Sequence, residues 1–473
     1  MNFLENLAAQ RQKLLDGIDA NEGDINLRIF EDFYPDEAHF IYELLQNAED
    51  AGATEVAFEL TDQACYVEHN GSRQFNERDI RSITGIFNSS KKDNPDKIGK
   101  FGVGFKSVYV YTETPIVYSS DFSFKILKLV LPQAIVPKPG LGTRTRFEFP
   151  FNSPKKDAKA AFSEVKSGLR QLSETTLLFL NNLRHIRWTI GDQEGAVFSK
   201  AHSGAHIEIL KLADGKESLS SHWLRFSIPV DNINQFSAPA EGVERQKVSV
   251  AFELSFVGDT KFFDAQAPLA KQLKIKPALK GKVSVFFPAE KETSGLRFHL
   301  HALFIPELSR ASIKNSPENA PLFGQIARVA AGALHEIKEL GLLTGEFLAV
   351  LPNNDDPLPE RYGAIRKAII DEMKAQSLVP TYGGGFAPAT RLLQARAAMK
   401  VLLSDDDLVL VTERRDQPTW AIGATQRNSN QDRFLSSLGL EEWDAQELKE
   451  LLENRARADA VWSLSVLDPA VKT

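Results

Sequence analysis

The chain has 473 residues, with 56 Lys and Arg against 63 Asp and Glu, a net charge of −7 and a single cysteine, Cys65. One cysteine excludes an intramolecular disulfide and a cysteine-based zinc site, no run reaches the ~20 apolar residues of a membrane span, and the acidic balance gives no indication of a nucleic-acid partner. The 31 Phe and 5 Trp supply apolar surface for folded cores, and the length suggests about two to four domains.

The first twenty residues place Phe3, Leu4, Leu7, Leu14, Leu15 and Ile18 at helical spacing. This acid-bearing amphipathic start is unlike a signal peptide and predicts a cytoplasmic chain. Residues 36–52 predict a helix with Asp36 as N-cap and Gly52 as stop. Its apolar stripe is Ile41, Leu44, Leu45 and Ala48; Glu43, Asn47 and Asp50 form a second stripe roughly opposite. Strands are predicted at Glu55–Leu60 and Ala64–Glu68, a turn at His69-Asn70-Gly71, and a helix over Asn76–Phe87. Residues 88–98 are polar and lysine-rich, with little to bury, so this lid-like segment is expected to move without ligand. Gly99-Lys-Phe-Gly-Val-Gly104 then reads as a glycine loop opening a helix over Phe105–Tyr111. Strands follow at Pro115–Ser119, Phe122–Val130 and Arg144–Phe149.

Pro150 and Pro154 mark one candidate boundary and Pro352–Pro359 a second. Between them, 155–182 reads as helix, 183–305 as mainly strand and 318–341 as helix. The remainder mixes helices with a Gly383-Gly384-Gly385 turn and ends in a predicted helix over Ala445–Ala458. The implied domains are 1–150, 151–350 and 351–473.

The stripe Glu43, Asn47, Asp50 has a plain reading as the wet side of a surface helix. Its chemical reading is a nucleotide site. An Asn oxygen suits Mg²⁺, which prefers hard oxygen ligands and keeps phosphates and waters around it. A Glu one turn earlier can take a proton from an attacking water, and an Asp near the helix end can hold the nucleoside. Gly99, Gly102 and Gly104 let backbone N–H groups approach phosphates. The loop misses a Walker A pattern by one residue, because Phe105 stands where the lysine belongs and Lys106-Ser107 come late. His299 and His301 share one face of a strand and, with no third ligand in view, read as structural. The five tryptophans read as core. Lys91, Lys92, Lys97 and Lys100 read as a solvated loop or as cations that lean on phosphates when a lid closes.

Taken together, Glu43-x3-Asn47-x2-Asp50 on a helix, two strands and a turn, a polar lid, and Gly99-x2-Gly102-x-Gly104 resemble the GHKL ATPase superfamily (gyrase, the ninety-kilodalton heat-shock chaperone, histidine kinases, MutL). Gly142-Thr143-Arg144-Thr145 before a strand is similar to that fold's last nucleotide-binding Gly-Thr. The wording of Ser89 to Tyr109 is closer still to sacsin-like ATP-binding proteins. The resemblance spans residues 30–150, with weaker likeness near Phe298–Arg310 and Leu378–Pro388. It departs at one box: where the superfamily has Asp-x-Gly-x-Gly, Tyr66–Phe75 offers His69 or Asn70 before Gly71. A neutral acceptor there predicts modest discrimination between adenine and guanine.

The resemblance implies an α/β protein: an N-terminal GHKL (Bergerat) α/β sandwich, an α+β middle domain and a C-terminal mixed α/β module. It implies ATP and Mg²⁺ as ligands. Glu43 becomes the base, Asn47 the Mg²⁺ ligand, and Asp50, Asn70, Gly71, Lys92, Gly99, Gly102, Val103, Gly104, Phe105 and Thr143 the nucleotide contacts. Arg310 is expected to reach the γ-phosphate from the middle domain. The expected activity is slow Mg²⁺-dependent ATP hydrolysis that drives lid and interdomain closure, serving an unidentified protein client, with a homodimer left open as the assembly. Two other classes fit the same motifs: a nucleotide-gated binding or scaffold module with little turnover, and a nucleic-acid-linked or defence-system GHKL ATPase. A histidine kinase is disfavoured, since no phosphoacceptor helix precedes the block.

Overall fold

The computed structural model describes residues 2–20, 40–85, 104–214, 216–231, 247–259, 262–307, 311–423 and 429–456. In chain order the strands of its main sheet are β1 (Glu55–Leu60), β2 (Ala64–His69), β3 (Ile116–Ser119), β4 (Phe122–Leu127), β5 (Leu131–Ala134), β6 (Thr145–Pro150), β7 (His185–Ile190), β8 (Gln193–Ala201), β9 (His206–Ala213), β10 (Lys216–Pro229), β11 (Lys247–Phe256), β12 (Leu273–Ile275), β13 (Val283–Val285), β14 (Phe287–Pro288) and β15 (His299–His301). They run side by side as β14-β13-β15-β11-β10-β9-β8-β7-β1-β2-β6-β3-β4-β5, with β12 beside β11. The sheet is mixed: β1 pairs parallel with β7, and β13 with β15, while the other pairs are antiparallel.

Alternating burial builds β1. Val56, Phe58 and Leu60 point inward, facing the same core as Phe147 and Phe149 of β6. The helix before it covers Phe40–Asp50 and buries Ile41, Leu44, Leu45 and Ala48. It ends as a Schellman turn: Gly52 sits at φ 70°, its N–H donates to the Glu49 carbonyl, and the Ala53 N–H donates to the Ala48 carbonyl. Asp36, the expected N-cap, lies outside the described residues. Asn76 caps a helix over Glu77–Ile83, reciprocated by Asp79, and Thr84 and Gly85 are no longer helical.

The packing crosses residue 150. One apolar core gathers side chains from Leu4 through Ile209 and Trp223 and also takes in Phe286 and Leu303. A second runs from Leu224 to Leu438, so it crosses residue 350 as well. Pro352–Pro359, expected to mark a boundary, is fastened down: Asp356 receives two bonds from the Arg297 guanidinium at 2.8 and 2.7 Å and one from the Asn353 N–H. A small third core, Leu393 to Trp443, surrounds a three-stranded parallel sheet of Leu392–Ala395, Thr419–Trp420 and Glu441–Trp443.

Three local expectations are corrected. Phe122–Val130 is not one strand; it breaks at Lys128 and Leu129, both left-handed at φ 49° and 66°, before β5. Residues 155–182 form two helices, Ala158–Gln171 and Thr175–Leu178. The predicted helix after the glycine loop is a 3₁₀ helix, Gly104–Val110. Trp188, Trp223, Trp420 and Trp443 are buried; Trp462 lies outside the described residues.

Candidate functional site

The Phe40–Asp50 helix is the spine of the site. Glu43 is buried, at 5% exposure, while Asn47 and Asp50 are half-buried on the same face. The stripe is therefore not a solvated helix side. Gln46 and Glu49 are buried too.

The start of the 3₁₀ helix meets Glu43 directly. A Cβ placed on Gly104 would stand 1.9 Å from Glu43 Oε2 and 2.5 Å from its Cδ. No side chain fits there while the carboxylate keeps its place, so the glycine is its clearance. The residues after it face inward. Phe105 packs against Phe147 and Phe149 at 6.1 and 6.3 Å, leaving its backbone as what it can offer a ligand. Ser107 Oγ donates back to the Gly104 carbonyl at 2.7 Å. Lys106 is buried and donates to the Ile83 carbonyl at 2.8 Å and to the Leu129 carbonyl. Burial, reinforced by the nearby Arg11 charge, pushes its pKa down to about 7. Lys106 thus serves the packing behind the loop.

The other end of the spine meets the His69–Gly71 turn. A Cβ on Gly71 would lie 2.7 Å from Ala51 Cβ and 2.9 Å from its carbonyl. The Gly71 N–H donates to His69 Nδ1 at 3.1 Å, so the neutral ring carries its proton on Nε2. Burial lowers the His69 pKa to about 4 and keeps it neutral. Asn70 faces the wrong way for a base-binding acceptor. Its Oδ1 takes the N–H groups of Thr54 and Glu55 at 2.9 and 3.0 Å, and its Nδ2 donates to Thr54 Oγ1 at 2.8 Å. The expected acceptor role for Asn70 is corrected on this geometry: both lone pairs of its carbonyl are engaged in holding the start of β1. Thr143 is exposed in the turn before β6, where its carbonyl accepts from Gln74 Nε2 at 2.7 Å. The pairing of Thr145 with His69 brings that turn beside the His69–Gly71 end. From Glu43 to Ala51 the helix rises about 12 Å at 1.5 Å per residue, with Asn47 and Asp50 between.

Glu49 is a residue that pattern reading did not single out. Its carboxylate accepts the N–H groups of Asn181, Asn182 and Leu183 at 2.8–3.1 Å, fixing the chain that leads into β7. Burial raises its pKa, and the three N–H donors pull the other way. Its partners lie more than 130 positions along the chain, so no local signal marks it.

Lys92, Gly99, Gly102, Val103 and Arg310 lie outside the described residues, as does the 88–98 segment. The flanks of Arg310 are described: the Glu307 N–H donates to the Ser312 carbonyl and the Lys291 N–H to the Ala311 carbonyl, at 2.9 and 2.8 Å. Among the described residues no three His, Cys, Asp or Glu side chains gather to hold a metal ion. A Mg²⁺ on Asn47 would take its other ligands from phosphates and waters. His299 and His301 are structural: Nδ1 of each accepts a backbone N–H, from Lys282 and Phe286, and burial lowers their pKa values to about 4 and about 3. No helix among the described residues is long and apolar enough to cross a membrane.

The family model of the Sacsin domain matches residues 59–145, the span that holds the His69–Gly71 turn, the 3₁₀ helix and β3 to β5. Human sacsin is 41% identical over 107 residues, 19% of this chain and 2% of that protein. Protein NO VEIN of Arabidopsis thaliana is 22% identical over 464 residues, 90% of this chain and 16% of that protein. The chain therefore spans less than a fifth of the length of either relative.

Proposed function

We propose that the chain binds ATP with Mg²⁺ along the Phe40–Asp50 helix and hydrolyses it slowly, as a sacsin-like ATPase of the GHKL type. The observation that carries this reading is the seat of the Glu43 carboxylate against Gly104. It brings a buried base to the root of a glycine loop 61 residues away in sequence, the arrangement that a γ-phosphate and its attacking water require.

Glu43 orients the water and takes its proton; burial keeps bulk water from competing. Asn47, one turn on, presents a neutral oxygen to the metal, which when bound neutralises phosphate charge. Backbone N–H groups of the Gly99–Gly104 loop hold the phosphates, and Lys106, turned inward, takes no part. Asp50 and the His69–Gly71 turn hold the nucleoside end, with Thr143 alongside. Because Asn70 is engaged elsewhere, preference for adenine over guanine is small. Closure on ATP, with Lys92 and Arg310 reaching the γ-phosphate, turns the site into a switch for a protein client.

Calorimetry with ATP, ADP and GTP, with and without Mg²⁺, tests the reading. ATP binding that strengthens with Mg²⁺, with GTP within about tenfold, or ~1.4 kcal/mol, is expected. No heat with any nucleotide would refute it.

A further inference from the structure

We infer that the contact between Tyr42 and Phe287 is a mechanical link from the Glu43 end of the helix to residues 311–313, and that both are positioning residues for hydrolysis; only the hydrolysis half rests on the nucleotide reading above.

Tyr42 immediately precedes Glu43. Its ring meets that of Phe287 at 4.9 Å with the planes 53° apart. Phe287 opens β14, which folds back on β13 through a single residue, Phe286. Phe286 is held at φ 70°, a conformation that costs an aromatic residue of order 1–3 kcal/mol and persists only where its surroundings enforce it. They do: its side chain is fully buried in the first core, its ring stands edge-on to His301 at 5.1 Å, and its N–H donates to His301 Nδ1 at 3.2 Å. The reversal sends Phe286 into the core and leaves Phe287 against Tyr42.

From Phe287 hydrogen bonds lead on to residues 311–313. The Ala289 N–H donates to the Val283 carbonyl and the Lys291 N–H to the Ala311 carbonyl, both at 2.8 Å. The buried Glu292 carboxylate receives the Ile313 N–H at 3.1 Å and the Tyr362 hydroxyl at 2.6 Å. Pro306 and Ile313 close the base of the loop as an isolated bridge. The steps are one ring contact, backbone bonds and the buried Glu292 carboxylate, and together they join Tyr42 to residues 311–313.

The test compares Tyr42→Ala and Tyr42→Phe with the parent chain. Without nucleotide, the Ile313 amide should exchange hydrogen at least ~5-fold faster in Tyr42→Ala, with Val250 in β11 unchanged, because only the local opening at the loop base is eased. Tyr42→Phe keeps the ring contact and should match the parent. With Mg·ATP, Tyr42→Ala should lose ~10-fold in kcat with ATP Kd within about twofold, and Tyr42→Phe should recover the rate, as for misplacement of a reacting group rather than loss of binding. Unchanged Ile313 exchange in Tyr42→Ala overturns the link. Parent-like kcat in Tyr42→Ala overturns the positioning role. A parent chain with no turnover removes the nucleotide reading, and the exchange comparison still decides the link.

Discussion

Gly104 and Glu43 share one space: where a Cβ of residue 104 would sit, 1.9 Å away, stands the Glu43 Oε2. Gly104→Ala therefore forces a choice between methyl and carboxylate. The carboxylate is the end of a flexible side chain, so it should move, at a cost nearer the lower end of the ~1–3 kcal/mol typical of overpacking. Turnover should fall as far as it does in Glu43→Ala, and the double variant should be no worse than either single one. A Gly104→Ala chain with full turnover would separate the two residues functionally.

Asn47 stands one helical turn from Glu43 on the same face. Asn47→Ala should leave metal-free ATP binding unchanged and abolish most of the strengthening by Mg²⁺, since the variant lacks the amide oxygen assigned to the metal. Titrations in EDTA and in Mg²⁺ measure both halves. An undiminished Mg²⁺ effect would move the metal elsewhere.

For Asn70 the account predicts a structural phenotype. Asn70→Ala removes the acceptor of two exposed backbone N–H groups and should cost ~0.5–1.5 kcal/mol of stability. Asn70→Asp keeps the acceptor and should change the ratio of ATP to GTP affinity by less than about twofold, or ~0.4 kcal/mol. A large shift in that ratio would return Asn70 to the base pocket.

Much of this was legible in the sequence where signals are local. The strand reading of Glu55–Leu60 found β1, and Gly52 marked the helix end. What stayed hidden depends on distance along the chain. Glu49 looks like one more acid of Ala48-Glu-Asp50, and only its partners at Asn181–Leu183 give it a role. The apolar run from Phe122 gives no sign of its break, because Lys128 and Leu129 have no preference for the left-handed turn they adopt. Asn70 reads as a ligand from its place in a motif, yet its amide is spent on the backbone of Thr54 and Glu55.

Four histidines give the fold a pH signature. Burial holds His69, His206 and His299 down to about 4 and His301 to about 3, from an ordinary 6.5; the charges of His202 and His222 add to the shift at His206. The unfolded chain takes up protons at these positions first, so stability is full above pH ~6.5 and falls as pH drops toward about 4. Urea midpoints measured across that window should decline steadily. A flat profile would show that the rings are not buried neutral.

The measurement that reaches the centre of the account is ATP turnover and ATP affinity of Glu43→Ala beside the parent chain in Mg²⁺. The account predicts affinity within a few-fold and turnover lower by ~10²-fold or more, the scale of a lost general base. Equal turnover in the two proteins, or loss of ATP binding in the variant, would contradict the role assigned to Glu43.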